Sequence, residues 1–152
     1  MKKSASNWKW LTAIVAVLAF TTSQADDLLN DTNWQLVEFQ SMDDAQGIKK
    51  PHDPAVYTMM LNADGSTSMK LNCNRARGTW KSSQSNDSNS GSFEFGPLAM
   101  TRALCPPPSM DEFIAMQSSY IRSYVIKNEK LYLSLMADGG IFVWQQSVKN
   151  SD

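Results

Sequence analysis

The feature that most constrains this chain is a succession of short strand-like segments joined by tight turns. Residues 66–73 alternate strictly, with Met69, Leu71 and Cys73 on one face and polar residues on the other. A period of two is typical of a strand with one buried face. The preceding Ala63-Asp64-Gly65 indicates a hairpin turn, because Gly and Asp tolerate positive φ. The pattern therefore predicts antiparallel strands and places Cys73 in the core.

Similar patterns recur along most of the chain. The predicted strands are 33–39, 56–62, 66–73, 78–81, 93–95, 124–127, 130–135 and 141–145. The polar segment 82–92 (SSQSNDSNSGS) cannot bury apolar area, so we expect a mobile loop there. The single helix predicted in the mature chain follows three prolines, which no helix interior tolerates. Ser109 and Glu112 match a capping box, and the helix is expected to bury Phe113, Met116, Tyr120 and Ile121.

Together these elements predict a mostly β fold, a small antiparallel barrel with one α-helix packed over an opening. Aromatic residues on the strands would either fill the interior or line an apolar pocket. A barrel of this size is often just wide enough for its own side chains, so we expect a filled core. The aromatic residues concerned are Trp34, Trp80, Phe93, Phe95 and Trp144.

The first 25 residues resemble a cleavable secretory signal peptide. Three lysines precede the apolar run 11–20, and Ser23-Gln24-Ala25 supplies small residues for a cleavage site after Ala25. An uncleaved anchor is the alternative, but a membrane span needs about 20 apolar residues. We therefore predict a signal peptide at 1–25, one exported domain at 26–152, and no transmembrane span after cleavage.

The chain contains two cysteines, Cys73 and Cys105. In an oxidising compartment an isolated pair is a candidate disulfide, and two free buried thiols are the alternative. In the chain-entropy model the bridge would stabilise the fold by about 3–4 kcal/mol.

Charge and composition argue against several functions. The precursor has 14 Lys and Arg against 15 Asp and Glu, and removing the three lysines of residues 1–25 leaves a net charge of −4. This balance disfavours nucleic-acid binding. The single histidine, His52, lies in a Pro-flanked polar loop with no nucleophile motif, so we expect an exposed side chain and no enzyme.

No metal or cofactor is expected. Structural zinc requires four Cys or His ligands, which the chain lacks. Methionines could bind copper(I), but Met59 and Met60 lie on opposite faces of a predicted strand, and Met69 and Met116 lie on stripes typical of a core. Core filling is the usual role of methionine. The acid pair Asp111-Glu112 is explained by the first turn of a helix, where negative charge is favourable.

Several motifs together resemble the META domain, the family of the heat-shock protein HslJ. The segment 71–80 (LNCNRARGTW) is similar to its Gly-Cys-Asn and Gly-x-aromatic signature, with Asn72 in place of the usual Gly. Trp34-x-Leu36, Thr101 followed by Cys105, and the closing hairpin 130–144 also match, so the resemblance spans about residues 30–146.

The resemblance implies a lipocalin-like barrel with one helix, in the envelope of a Gram-negative bacterium or secreted, and a link to heat shock and novobiocin resistance. It implies no agreed catalytic activity. It also implies that Asn74 hydrogen-bonds nearby backbone and that Gly78 frees the backbone for a turn or bulge. The motif residues, all taken as structural, are Trp34, Cys73, Asn74, Gly78, Trp80, Thr101 and Cys105.

We therefore expect a non-enzymatic, monomeric periplasmic protein, related to stress, that binds an unknown envelope protein. Two alternatives remain open. One is a lipocalin-like carrier of a small apolar ligand. The other is a secreted inhibitor of a hydrolase that uses the loop 101–109 (TRALCPPPS).

Overall fold

The computed structural model describes residues 28–147. The predicted signal peptide lies outside these residues, so its cleavage stays a prediction. Within the described part of the chain, no helix combines the length and apolarity that a membrane crossing requires.

The described residues form strands and one α-helix, with short 3-10 turns at Pro54–Val56 and Met136–Asp138. The strands are β1 (Thr32–Gln40), β2 (Ile48–Lys49), β3 (Tyr57–Leu61), β4 (Ser66–Leu71), β5 (Asn74–Gln84), β6 (Ser90–Phe95), β7 (Ala99–Met100), β8 (Ile121–Lys127), β9 (Lys130–Leu135) and β10 (Ile141–Gln146); the helix is α1 (Asp111–Ser118).

Eight of the strands close into an antiparallel barrel. Their order is β1-β3-β4-β5-β6-β8-β9-β10, and β10 pairs with β1 to complete the ring. The two-residue strands β2 and β7 attach to β1 and β5. Most connections are hairpins, and Gly65 in the predicted 63–65 turn has a φ of +80°. The predicted fold class, a small antiparallel barrel with one helix, is confirmed.

Side chains fill the barrel interior, as expected. Trp34, Tyr57, Phe93 and Trp144 are each at most 2% exposed. The rings of Trp80 and Phe93 stack with their centroids 5.8 Å apart. Leu131, Leu133 and Leu135 all point inward from β9, as their alternation predicted.

The predicted loop 82–92 is wrong at both ends. β5 continues to Gln84 and β6 begins at Ser90, so only residues 85–89 connect them. Backbone pairing needs no apolar side chains, and the two strands approach closely at Gly91. A Cβ placed there would lie 2.1 Å from the carbonyl oxygen of Ser83.

The helix exists, but its predicted buried stripe is wrong in part. Ile121 is buried and Phe113 packs partly buried against the core, whereas Met116 and Tyr120 are exposed. It ends at Ser118, so Tyr120 and Ile121 lie beyond it, and its buried residues are Asp111, Ile114 and Ser118. Met116 is 61% exposed. An eight-residue helix makes only two turns, so where the chain enters it decides which face is buried.

The predicted capping box does not form. The helix N-cap is Met110, with no side-chain capping bond, and the Ser109 hydroxyl bonds the Asp111 carboxylate instead. The prediction that Cys73 lies in the core is also wrong. β4 ends at Leu71, and Asn72 has a φ of +59°, which breaks the alternation. Cys73 is therefore exposed, and the next residue, Asn74, points inward.

Candidate functional site

The turn between β4 and β5 is joined covalently to the irregular segment that precedes α1. Cys73 in this turn forms a disulfide with Cys105, and their Cα atoms lie 5.5 Å apart. The predicted bridge is confirmed. It anchors residues 101–110, which have no regular secondary structure, to one end of the barrel.

Asn74, the first residue of β5, holds the same segment with its side chain. Its Oδ1 accepts from the backbone N–H of Ala103 at 2.8 Å, and its Nδ2 donates to the carbonyl oxygen of Ala103 at 2.9 Å. The Thr101 hydroxyl donates to the same Oδ1 at 2.8 Å and accepts from the backbone N–H of Arg75 at 3.0 Å. A buried amide therefore supplies both main-chain partners of Ala103, as a neighbouring strand would.

A buried carboxylate completes this network. Asp111, which is 6% exposed, accepts from Asn74 Nδ2 at 2.7 Å and from the Ser109 hydroxyl at 2.5 Å. The Asn72 side chain donates to Ser109 Oγ at 3.0 Å. Burial favours the neutral carboxyl, but the bonds from Ser109 and Asn74 outweigh it, so the pKa of Asp111 lies below its ordinary 3.8.

The end of the segment is fixed by an aromatic hydroxyl. Tyr57 is buried on β3, and its OH accepts the backbone N–H of Met110 at 3.0 Å, just before the helix. Near the middle, the disulfide holds Cys105, whose Sγ lies 3.3 Å from Asn74 Nδ2. The segment is thus held at positions 101, 103, 105 and 110.

Leu104 is the exception within this held segment. Its side chain is 98% exposed, although the backbone on either side is bonded through Ala103 and Cys105. Three prolines follow at positions 106–108 and restrict φ there. The result is an apolar side chain projected into solvent from a rigid backbone; we call residues 101–109 the clamped loop.

The structure separates the other motif residues from this network. Trp34 and Trp80 lie in the core, and their indole N–H groups donate to Thr32 Oγ1 and to the carbonyl oxygen of Asn62. Gly78 lies inside β5, in neither a turn nor a bulge, so its predicted role is wrong. A Cβ placed there would lie 2.6 Å from the Pro97 carbonyl oxygen, so Gly78 permits close approach of the chain before β7.

The network holds the clamped loop in place. Donors occupy both oxygens of Asp111, and its lowered pKa keeps it ionised near neutral pH. His52 is exposed beside the Tyr57 ring. Among residues 28–147 there is no group of three or more His, Cys, Asp or Glu side chains placed to hold a metal ion.

Two residues of the site were missed from sequence. Asp111 already had an explanation in the helix dipole, and nothing local signalled its contact with Asn74, 37 positions earlier. Leu104 did offer a signal, since it is the only large apolar residue in the predicted loop 101–109.

Comparison with known proteins agrees with this fold. The META domain family model matches residues 27–148. No curated protein is significantly similar to the chain. Among solved structures, a DUF4847 family protein from Bacteroides vulgatus ATCC 8482 is similar with a TM-score of 0.53 and 13% identity, covering 81% of this chain and 97% of its own. At that identity the likeness shows the fold alone.

Proposed function

The chain belongs to the META domain family, and on that basis we propose a non-enzymatic protein of the bacterial envelope, periplasmic or secreted, that serves the stress response by binding another envelope protein. One observation carries the binding role. It is the fully exposed Leu104 side chain on a loop whose backbone is held on both sides.

Rigidity makes this loop a favourable contact surface. Ordering a flexible loop on binding costs free energy, and a loop already held by a disulfide and by Asn74 avoids most of that cost. Burying a leucine side chain in an apolar pocket contributes about 1.5–3 kcal/mol. A few such anchors supply most of the affinity of typical interfaces.

The two other classes fit less well. An enzyme needs an acid, base or nucleophile with a free partner, and the polar groups of the site are committed to each other. A lipocalin-like carrier needs an open interior, and Trp34, Met69 and Phe93 occupy that space, each at most 3% exposed.

A photo-crosslinking amino acid at position 104 tests the proposal in living cells. Val125 on β8 provides the matched control, because it is also an exposed apolar residue. It pairs with Ser90 of β6, which lies beside the end of β5 opposite to Asn74. We expect one envelope protein crosslinked from position 104 and absent from position 125. The same products from both positions, or none from 104, would refute the binding role.

Location and physiology need separate tests. Fractionation followed by mass spectrometry should recover a chain that begins at Asp26 in the periplasm or the medium. Cells that lack the protein should survive heat shock and novobiocin less well, and expression of a Leu104→Asp variant should not restore survival. A cytoplasmic chain that retains Met1 would contradict the proposed location.

Inhibition of a hydrolase is the second candidate, and the same loop favours it. A held backbone at Ala103 followed by a projecting Leu104 suits the pocket of a protease that prefers apolar residues. The purified domain should be titrated against chymotrypsin, subtilisin and lysozyme, with Leu104→Asp and Val125→Asp in parallel. Inhibition that is lost only in the Leu104 variant supports this candidate. If none of the three enzymes is inhibited, the protein is not an inhibitor of these hydrolases, and the proposed binding role is unaffected.

A further inference from the structure

Three cations lie together on the outer face of the barrel. Lys70 on β4 and Arg75 on β5 are direct cross-strand partners. Arg77 is two residues further along β5, on the same face, and pairs with Ser68. They line a groove of about 500 Å³ across β3, β4 and β5, which we call the cationic groove.

Among the described residues, 28–147, no acidic side chain forms an ion pair with these cations. The ion pairs within residues 28–147 are Lys50 with Glu38 and Lys81 with Glu94. The groove lining contains neither Asp nor Glu. Like charges directly opposite on neighbouring strands are destabilising. A cluster of three cations is also unexpected from the composition, because the predicted mature chain has four more acidic than basic residues.

Neutral hydrogen-bonding groups surround the cations. Thr58 lies opposite Lys70, and Ser68 lies opposite Arg77. One N–H of the Arg75 guanidinium donates to the carbonyl oxygen of Asn74 at 3.1 Å, which fixes its position. A guanidinium carries five N–H donors, so others can reach a ligand.

We propose that the cationic groove binds the phosphate group of a phosphorylated ligand. Guanidinium groups match phosphate oxygens with paired hydrogen bonds, and a lysine adds a point charge. A phosphate monoester carries close to two negative charges, so it balances three cations better than a single carboxylate does. The net negative charge of the chain disfavours a long polyanion.

This inference goes beyond the proposed function and does not depend on Leu104. The phosphate has two possible sources, a lipid headgroup and a soluble phosphate ester. Binding of the predicted mature chain should be measured with glycerol phosphate, and with vesicles that contain phosphatidic acid, a lipid whose headgroup is a phosphate monoester, or phosphatidylcholine alone. Binding to glycerol phosphate assigns a soluble ligand, and binding only to phosphatidic acid vesicles assigns a headgroup; either result supports the groove.

Variants locate the binding. Each removed cation should weaken binding about fivefold, so Arg77→Gln loses about fivefold and the double variant with Arg75→Gln about 25-fold. Lys127→Gln, at the end of β8, is the matched control and should bind normally. Phosphate should also raise the thermal unfolding midpoint of the unmodified chain, compared with chloride at equal ionic strength. It should not raise the midpoint of the double variant. No binding to either probe, or full binding by a folded double variant, overturns the proposal.

Discussion

Replacing Asn74 by alanine should destabilise the domain more than a typical polar substitution. Asn74 is 1% exposed, and its side chain bonds the backbone of Ala103 twice, the Thr101 hydroxyl and the Asp111 carboxylate. Alanine removes all four contacts and leaves a buried charge without its amide donor. The substitution therefore acts on the clamped loop and on the entry to the helix together.

The size of the effect follows from the partners. The bond to the ionised Asp111 should contribute about 1.5–3 kcal/mol, and each of the three neutral bonds about 1 kcal/mol. Ala103 and Thr101 are exposed, so water replaces part of what they lose. We therefore expect Asn74→Ala to lower the free energy of unfolding by about 3–5 kcal/mol.

Urea denaturation at pH 7 with the disulfide intact measures this loss as a lower midpoint at unchanged slope. Asn33→Ala is the matched control. Asn33 lies on β1 half-buried, with no side-chain hydrogen bond found in the described chain, so its change should stay within about 0.5 kcal/mol. A loss below about 1 kcal/mol for Asn74→Ala would refute the view that this amide holds the loop.

Three further predictions concern the same end of the barrel and the β9–β10 turn. Thiol labelling without reductant should find no free cysteine, and reduction should cost about 3–4 kcal/mol, because the bridge closes a loop with a sequence separation of 32; labelling of both cysteines would contradict the bridge. Because the pKa of Asp111 is lowered in the fold, its contribution is present above about pH 4 and lost as pH falls through the lowered value. Asp111→Asn should be less stable than the unmodified chain at pH 7. The difference in their free energies of unfolding should become smaller when unfolding is measured at acidic pH, and a difference that does not change with pH would argue against an ionised Asp111. Gly140→Ala should destabilise by more than about 2 kcal/mol in thermal unfolding, since its φ is +134° and a Cβ would lie 2.4 Å from the Phe39 ring. Gly47→Ala, with positive φ but open space, should cost about 1 kcal/mol, and equal losses at the two sites would refute the steric explanation.

Prediction from sequence succeeded where one short segment carries the whole signal. The leucines of β9 alternate without interruption, and all three are buried. The same reasoning failed at Cys73, because the left-handed Asn72 breaks the period. It failed at the helix because Met116 matched an apolar stripe that the two-turn helix turns toward solvent.

The sequence alone determined most of the strands, the turn at Gly65 and the two cysteines that could pair, because periodicity and a unique cysteine pair are local or countable properties. The tertiary structure decided between a filled and an open interior, and between a disulfide and two free thiols. Only the tertiary structure decided what Asn74 and Asp111 do, and which cations meet on the outer face. Those arrangements depend on strand register and barrel closure, which place residues far apart in the chain side by side. No local pattern carries that information, since a one-residue change in register would turn the same side chains to the opposite face.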